Sequence, residues 1–285
     1  MTTAGAGQLK GKICLVTGGN TGLGKSTATA LARLGGHVII LSRDRARGEA
    51  AQAEIKSQTG NAQVDLLLGD LGSQKSTRSA AAEFKTRYKQ LHVLVNNAGV
   101  NVGNRVLTED GIESTFAINH LGPFLFTNLL LDVLKASAPS RIVNVSSGAH
   151  SAGAIQFDDL QFEKKYSAFK AYCQSKLANV HFTTELARRL QGTGVTVNAV
   201  DPGTVRTSLG SDQWIFRLAV KLPFFVTPDK GARTAIRVAT APELEGVTGK
   251  YFSKEKEKSP AKHAQDEAIA KQLWDVSAKL TKLTA

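Results

Sequence analysis

Cysteine is scarce in this chain: among 285 residues only Cys14 and Cys173 carry a thiol. Two thiols cannot build a disulfide framework, and such sparing use points to a reducing compartment. Neither has a partner at metal-ligand spacing, so no metal site is expected. Cys14 lies in an apolar run and reads as core, and Cys173 is assigned no role. Long hydrophobic runs are absent as well. Nowhere do roughly eighteen apolar residues follow one another, so no membrane-spanning helix is expected. Met1 to Gln8 is small and polar, without a charged start followed by an apolar stretch, and no signal peptide is expected there. These features together suggest a cytoplasmic location, with contact to a membrane surface as a further option. No internal repeat or low-complexity segment divides the sequence. Acidic residues number 24 against 36 lysines and arginines, a formal charge of +12. That excess suits an anionic partner or plain solubility. The basic residues are dispersed, and no finger, basic zipper or RNA-binding signature accompanies them. Nucleic acid is therefore not an expected partner.

What is present is a chain with 42% hydrophobic residues, enough to bury one sizeable α/β core. The run Lys12 to Val16 reads as a buried strand. It leads directly into Thr17-Gly18-Gly19-Asn20-Thr21-Gly22-Leu23-Gly24, after which a helical pattern runs from Lys25 to about Leu34. Strand, glycine turn and helix are the setting in which backbone binds a pyrophosphate. Gly18 would permit the turn, Gly22 the approach of a cofactor, and Gly24 close packing of helix on strand. The spacing departs by one position from the Gly-x-Gly-x-x-Gly fingerprint. It also lacks the Gly-Lys-Ser/Thr ending of a triphosphate loop, which disfavours ATP.

His37 to Leu41 reads as the second strand. The residue just after it discriminates dinucleotides: an acid bonds a ribose 2′-hydroxyl, whereas arginine accommodates a 2′-phosphate. Arg43 occupies this place, with Asp44 beside it as a candidate helix cap, and NADP(H) is favoured over NAD(H). Val64 to Leu68 reads as a third strand followed by Asp70 and Leu71, and Ser73 to Lys89 as a helix. Val93 to Val95 is a fourth strand, ending in Asn96-Asn97-Ala98-Gly99, where small residues would let backbone meet a cofactor. Farther on, Tyr172 and Lys176 stand four apart in a run that reads as helix from Lys165 to Gln191. Such spacing puts a phenol and an ammonium on one face. The positive charge is expected to pull the phenol toward neutrality from its ordinary value near ~10.

The glycine pattern at 17–24, Asp70, Asn96-Asn97-Ala98-Gly99 and Tyr172-x-x-x-Lys176 together resemble the short-chain dehydrogenase/reductase family. Arg43 and Val145-Ser146-Ser147-Gly148-Ala149-His150 look most like its retinol dehydrogenase-like and WW-domain oxidoreductase-like branch. The resemblance covers about Lys10 to Phe252. It implies one α/β domain with a Rossmann-type, doubly wound parallel sheet flanked by helices. Residues 10–150 would form mainly the cofactor half, and 151–285 the catalytic and substrate half. It also implies a catalytic set of Asn119, Ser147, Tyr172 and Lys176, with Ser147 rather than Ser146 as the acting serine and no base role for His150. Pro202, Gly203, Val205 and Thr207 would turn the chain over the nicotinamide, with Asp201 a departure from the histidine usual there. Cofactor contacts are then expected from Gly18, Asn20, Thr21, Gly22, Leu23, Gly24, Arg43, Asp70, Leu71, Asn97, Ala98, Gly99, Tyr172, Lys176, Pro202, Gly203, Val205 and Thr207.

Remaining elements are read as a helix over Thr108 to Phe116, an apolar helix over Leu121 to Lys135, and a strand over Arg141 to Ser147. Gly194 to Val200 reads as a strand, Asp229 to Thr240 as a helix, and Gly249 to Phe252 as the last strand. Lys254 to Lys258 is expected as an exposed loop, and Ala264 to Leu283 as a peripheral helix that covers the substrate mouth. Trp214 to Phe225, within 208–228, is the counterpart of a substrate lid. The expected activity is NADP(H)-dependent interconversion of a lipophilic aldehyde or ketone and its alcohol. Protochlorophyllide-type double-bond reduction, and a cofactor-sensing or scaffold protein without turnover, stand as alternatives. Oligomeric state is left open, with helices 121–135 and 165–191 as the faces where family members pair.

Overall fold

The computed structural model describes residues 7–205 and 226–283. Thr207 and the expected lid segment Trp214 to Phe225 lie outside the described residues. The chain alternates strands and helices from its start. In order these are β1 (Ile13–Thr17), α1 (Gly22–Arg33), β2 (His37–Ser42), α2 (Arg45–Thr59), β3 (Val64–Leu68), α3 (Gln74–Arg87) and β4 (Val93–Asn96). Next come α4 (Ser114–Phe116), α5 (Gly122–Leu129), α6 (Leu131–Ala136), β5 (Ser140–Val145), α7 (Ala168–Arg189) and β6 (Val195–Asp201). The described chain closes with α8 (Pro228–Thr240), β7 (Tyr251–Ser253), β8 (Lys256–Lys258) and α9 (Glu267–Leu280).

The strands form one eight-stranded sheet in the order β3-β2-β1-β4-β5-β6-β7-β8. All neighbours are parallel except β7 and β8. Side chains alternate across a strand, so both faces of a buried sheet must be apolar. In β1, Leu15 enters one apolar layer while Cys14 and Val16 enter the other. The Leu15 layer is closed by Ala80 and Phe84 of α3, Phe124 and Phe126 of α5, and Phe182 and Leu186 of α7. The opposite layer is closed by Ala28 and Leu31 of α1, Ala51 and Ile55 of α2, and Ala235 and Val238 of α8. Each fully buried Leu, Ile or Phe contributes about 1.5–3 kcal/mol relative to exposure. This is the expected doubly wound α/β domain.

Helix starts follow their caps. Asp44, Ser73, Ser167 and Asp266 each accept an N–H of their helix's first turn.

Three elements differ from expectation. The stretch 108–116 is mostly turn, and its helix begins only at Ser114. Gly111 adopts φ +72° and Leu107 bridges to Glu113, whose buried carboxylate then takes the N–H groups of Thr115 and Phe116 at 2.8 Å each. The apolar helix expected over 121–135 is interrupted at Leu130 and preceded by a π-helical turn, Ala117–Leu121. The charged stretch 254–258 is exposed but not a loop throughout, because Lys254 and Glu255 (φ 51° and 62°) reverse the chain into β8. Two consecutive positive φ values are what a tight hairpin turn requires. The C-terminal helix packs its Trp274 against Phe124 and Phe182, at ring-centroid distances of 4.9 and 6.0 Å, with the Arg189 guanidinium 4.1 Å over the indole. Those partners lie in α5 and in the C-terminal half of α7, beyond the turns that carry Tyr172 and Lys176.

Candidate active site

In a parallel sheet wound both ways, a crevice opens where the chain changes direction, at the carboxyl ends of the strands. Here that point lies between β1 and β4, which are hydrogen-bonded neighbours. The glycine turn leaves β1, and Asn96-Asn97-Ala98-Gly99 leaves β4. Gly18 (φ +63°) and Gly22 (φ +49°) adopt left-handed conformations that disfavour a side chain. A Cβ on Gly24 would lie 2.3 Å from the Gly18 oxygen and 2.4 Å from Asn97 Nδ2. Helix α1 begins at Gly22, three residues earlier than its apolar pattern suggested. Its cap residue Thr21 makes no side-chain bond to the first turn, and no acid stands there. A helix N-terminus without a protein acceptor favours an anion.

Thr17 binds the two loops together, a role not read from the sequence. Its Oγ1 accepts the N–H groups of Asn97 (2.9 Å) and Ala98 (3.0 Å), while Asn97 Nδ2 donates to the Thr17 oxygen at 2.9 Å. Asp70 Oδ1 accepts the N–H of Gly72, and Leu71 is buried against Gly122 at the start of α5. Arg43 is exposed just after β2 and forms no ion pair among the described residues. Asp44 beside it caps α2 through Arg47 N–H at 2.9 Å. Beyond β6, Gly203 (φ +75°) turns the chain, and its N–H donates to Asp201 Oδ1 at 2.9 Å. Val205 and Leu23 meet over Gly231 of α8, whose added Cβ would come within 2.5 Å of Val205 and 3.2 Å of Leu23. The Pro202–Val205 turn thus stands against the start of α1.

Ser146 and Ser147 follow β5 directly. Ser146 Oγ donates to the Lys176 carbonyl at 2.7 Å, tying this strand end to α7. Gly153 presses on the same helix, since a Cβ there would sit 2.6 Å from the Cys173 oxygen. Ser146 is thereby committed, whereas the hydroxyl of Ser147 faces Tyr172 and lowers its pKa. His150 is held by its neighbours: Nδ1 bonds the Ser147 oxygen at 2.7 Å and Nε2 accepts Ala261 N–H at 3.1 Å. Both ring nitrogens are engaged with backbone.

Tyr172 and Lys176 lie on one face of α7, with Nζ 5.5 Å from the ring centroid. Nζ donates to the Val145 oxygen at 3.3 Å. A Cβ on Gly99 would lie 3.4 Å from that Nζ and 3.3 Å from Asn119 Oδ1, so the β4 loop touches both. Asn119 is buried within the π-helical turn, where an extra residue per turn redirects side chains. Its amide donates to the Val100 oxygen and to Ser175 Oγ, each at 2.9 Å, and accepts Val100 N–H at 2.7 Å. Glu113 and Tyr166 support this loop from behind, the Tyr166 hydroxyl donating to the Val102 oxygen at 2.7 Å. Burial lowers Lys176 to about 8. Burial also pushes Tyr172 up to about 12, with Ser147 acting against this and the charge of Asp201 adding to it. That direction is opposite to the one expected from Lys176 alone, because burial penalises the phenolate and raises the phenol.

The glycine turn, the β4 loop and the Ser147–Tyr172–Lys176 group thus share one crevice, the arrangement of a dinucleotide-binding α/β oxidoreductase. The residues 12–215 match the short chain dehydrogenase family. The chain belongs to that family, in its retinol dehydrogenase-like branch. It is 50% identical over 286 residues to human (Homo sapiens) retinol dehydrogenase 13, covering 97% of this chain and 86% of the relative. Human retinol dehydrogenase 12 is 50% identical over 275 residues, covering 96% and 87%. Among solved structures, an uncharacterised protein from Mycobacterium paratuberculosis superposes with a TM-score of 0.81 at 34% identity, covering 99% of this chain and 97% of the other. The Pseudomonas aeruginosa RhlG/NADP active-site complex follows with a TM-score of 0.70 at 25% identity, covering 87% and 97%. Membership makes the chain an oxidoreductase and implies a nicotinamide cofactor.

Proposed function

We infer that this protein interconverts a neutral, lipophilic aldehyde or ketone and its alcohol, with NADP(H) as the preferred cofactor and Tyr172 as the general acid and base. The observation that carries this reading is that Lys176 and Asn119 both pack on Gly99, their Nζ and Oδ1 3.4 and 3.3 Å from a Cβ placed there, at the crevice where the glycine turn opens. When bound, the dinucleotide supplies or accepts a hydride. The turn fits such a group: its glycines leave a side-chain-free cradle, and no acidic residue stands in the first turn of α1.

The protein's part is positioning and proton movement. Gly18 to Gly24 would hold the pyrophosphate, Arg43 a 2′-phosphate, and Asp70 and Leu71 the adenine side. Asn97, Ala98, Gly99 and the Pro202–Val205 turn would line the nicotinamide side. In the reducing direction, Tyr172 donates its phenolic proton to the carbonyl oxygen of the substrate, and Ser147 hydrogen-bonds the same oxygen as charge gathers on it. Lys176, protonated below about pH 8, stabilises the phenolate left behind. Asn119 keeps the β4 loop against that lysine. In the oxidising direction Tyr172 takes the proton back.

Support for a lipophilic substrate comes from the relatives, which are named as retinol dehydrogenases. The Pseudomonas relative is an NADP complex, which agrees with the exposed Arg43 here. The deciding experiment follows NADPH absorbance against a panel of aldehydes and ketones, retinal included, with NADH in parallel. Oxidation of NADPH by at least one neutral carbonyl is the expected result. No turnover with any of them would return the chain to the cofactor-sensing alternative.

A further inference from the structure

Asp201 ends β6 in the wall of the same crevice, and its surroundings hold its carboxylate in one place. Oδ1 accepts the N–H of Gly203 at 2.9 Å, and Oδ2 accepts the hydroxyl of Ser253 at 3.1 Å. The Tyr251 phenol is raised by burial and then by the charge and hydrogen bond of Asp201. All three partners are neutral donors, which orient a carboxylate without cancelling its charge. No lysine, arginine or histidine forms an ion pair with Asp201 among the described residues.

The carboxylate also lies beside the strand end that carries Ser147. A Cβ on Gly148, the residue after Ser147, would meet one atom within 4 Å: Asp201 Oδ2, at 3.5 Å. Between Ser147 and Asp201 the chain thus presents the bare backbone of Gly148. Asp201 lies near enough to Tyr172 for its charge to be felt at the phenol. An atom placed beside a carbonyl that touches Ser147 and Tyr172 has this fixed negative charge as a near neighbour.

We propose that Asp201 is a specificity-determining residue: its carboxylate turns away carbonyl substrates bearing an anionic group next to the reacting carbon and admits their neutral counterparts. The inference rests on the reading of Ser147 and Tyr172 as the groups that hold the substrate oxygen. Like charges a few ångströms apart in a partly buried site repel strongly enough for discrimination of about tenfold or more. The excluded class is that of 2-oxo carboxylates. Their esters, identical in skeleton and uncharged, belong to the accepted class.

The test is a matched pair, benzoylformate and its methyl ester, reduced with NADPH by wild type, Asp201→Asn and Asp201→Glu. Asparagine keeps an oxygen for the Gly203 N–H, turns its amide N–H toward the Ser253 hydroxyl, which can accept it, and removes the charge; glutamate keeps the charge. The expected result is an ester-to-acid ratio of kcat/KM that falls about tenfold in Asp201→Asn and stays high in Asp201→Glu. A purely structural role would depress both substrates together and leave that ratio unmoved. An unchanged ratio in Asp201→Asn overturns the assignment of Asp201. If that variant does not fold, Asp201→His at pH 8 removes the charge in the same way and carries the same expectation. A wild-type enzyme that turns over neutral aldehydes yet reduces the acid as well as the ester overturns this inference alone. One inert toward every neutral carbonyl overturns the reading beneath it and this inference with it.

Discussion

The ammonium of Lys176 stands 5.5 Å from the centroid of the Tyr172 ring, one helical turn along α7. Both groups are shifted by burial, but in opposite senses: the phenol up to about 12 and the ammonium down to about 8. At neutral pH the pair therefore rests as a protonated phenol beside a protonated amine. That is the state needed to give a proton to a carbonyl oxygen.

Replacing Tyr172 by Phe removes the transferable proton and little else. Turnover is expected to fall by on the order of 10²–10⁴-fold. NADPH affinity, read from fluorescence titration, should stay close to wild type, because the glycine turn is untouched. A variant with comparable turnover would remove Tyr172 from the mechanism.

The two directions of reaction should respond differently to pH. Carbonyl reduction uses the protonated phenol and is expected to hold steady below about pH 8, then decline as Lys176 loses its proton. Alcohol oxidation needs the phenolate, so it should climb from neutral toward alkaline pH as the phenol approaches its raised value. Initial rates in both directions across roughly pH 6–10 check this, and parallel profiles would contradict it.

Gly24 has no room for a methyl group, since a Cβ would lie 2.3 Å from the Gly18 oxygen. Gly24→Ala must push the turn away from α1 or displace Asn97. A loss of about 1–3 kcal/mol in urea-derived stability is expected, together with weakened NADPH binding. Retention of both would mean that the turn relaxes without cost.

Arg43 stands exposed at the end of β2 without an ion-pair partner among the described residues. Arg43→Asp should lower kcat/KM for NADPH and shift preference toward NADH, because an acid there repels a 2′-phosphate and bonds a 2′-hydroxyl. An unchanged NADPH-to-NADH ratio would count against this placement.

His181 is a fully buried residue of α7 with Asp266 and His263 of the C-terminal segment near it, and burial lowers it to about 4. The unfolded chain binds a proton there near pH ~6.5. The stability at stake is therefore fully present above about pH 6.5 and is lost as pH falls toward 4, at roughly 1.4 kcal/mol per pH unit. Buried His120, lowered to about 3, adds to the same slope. Urea unfolding at about pH 7.5, 6 and 5 should show the decline, and His181→Leu should flatten part of it.

Much of the fold can be read from periodicity alone. Apolar runs such as His37–Ser42 and Val64–Leu68 stand between helical patterns and match the observed strands within a residue or so. Departures fall where one tertiary contact governs. The pattern over Thr108–Gly111 suggests helix, yet the cap from Glu113 to Thr115 and Phe116 delays the helix to Ser114. Lys254 to Lys258 shows only charge in sequence, while the backbone reversal at Lys254 and Glu255 makes it a hairpin strand. Thr17 and Ser146 carry no signal of their roles, because a hydroxyl that joins two distant loops looks like any other hydroxyl until those loops meet.

From the order of its residues alone, this chain determined its alternation of strand and helix, the glycine turn, and the pairing of Tyr172 with Lys176 on one helical face. Each of these depends on spacing along a regular backbone. Only the tertiary structure decided that Gly99 packs beside Lys176 and Asn119, that Ser146 bonds α7 while Ser147 accepts the Ala149 N–H and stands toward Tyr172, and that Asp201 lies beside the strand end that carries Ser147. It also decided that burial lifts the phenol instead of lowering it. Proximity between residues far apart in the chain, and the loss of water around them, arise when the sheet closes and are not written in any local pattern.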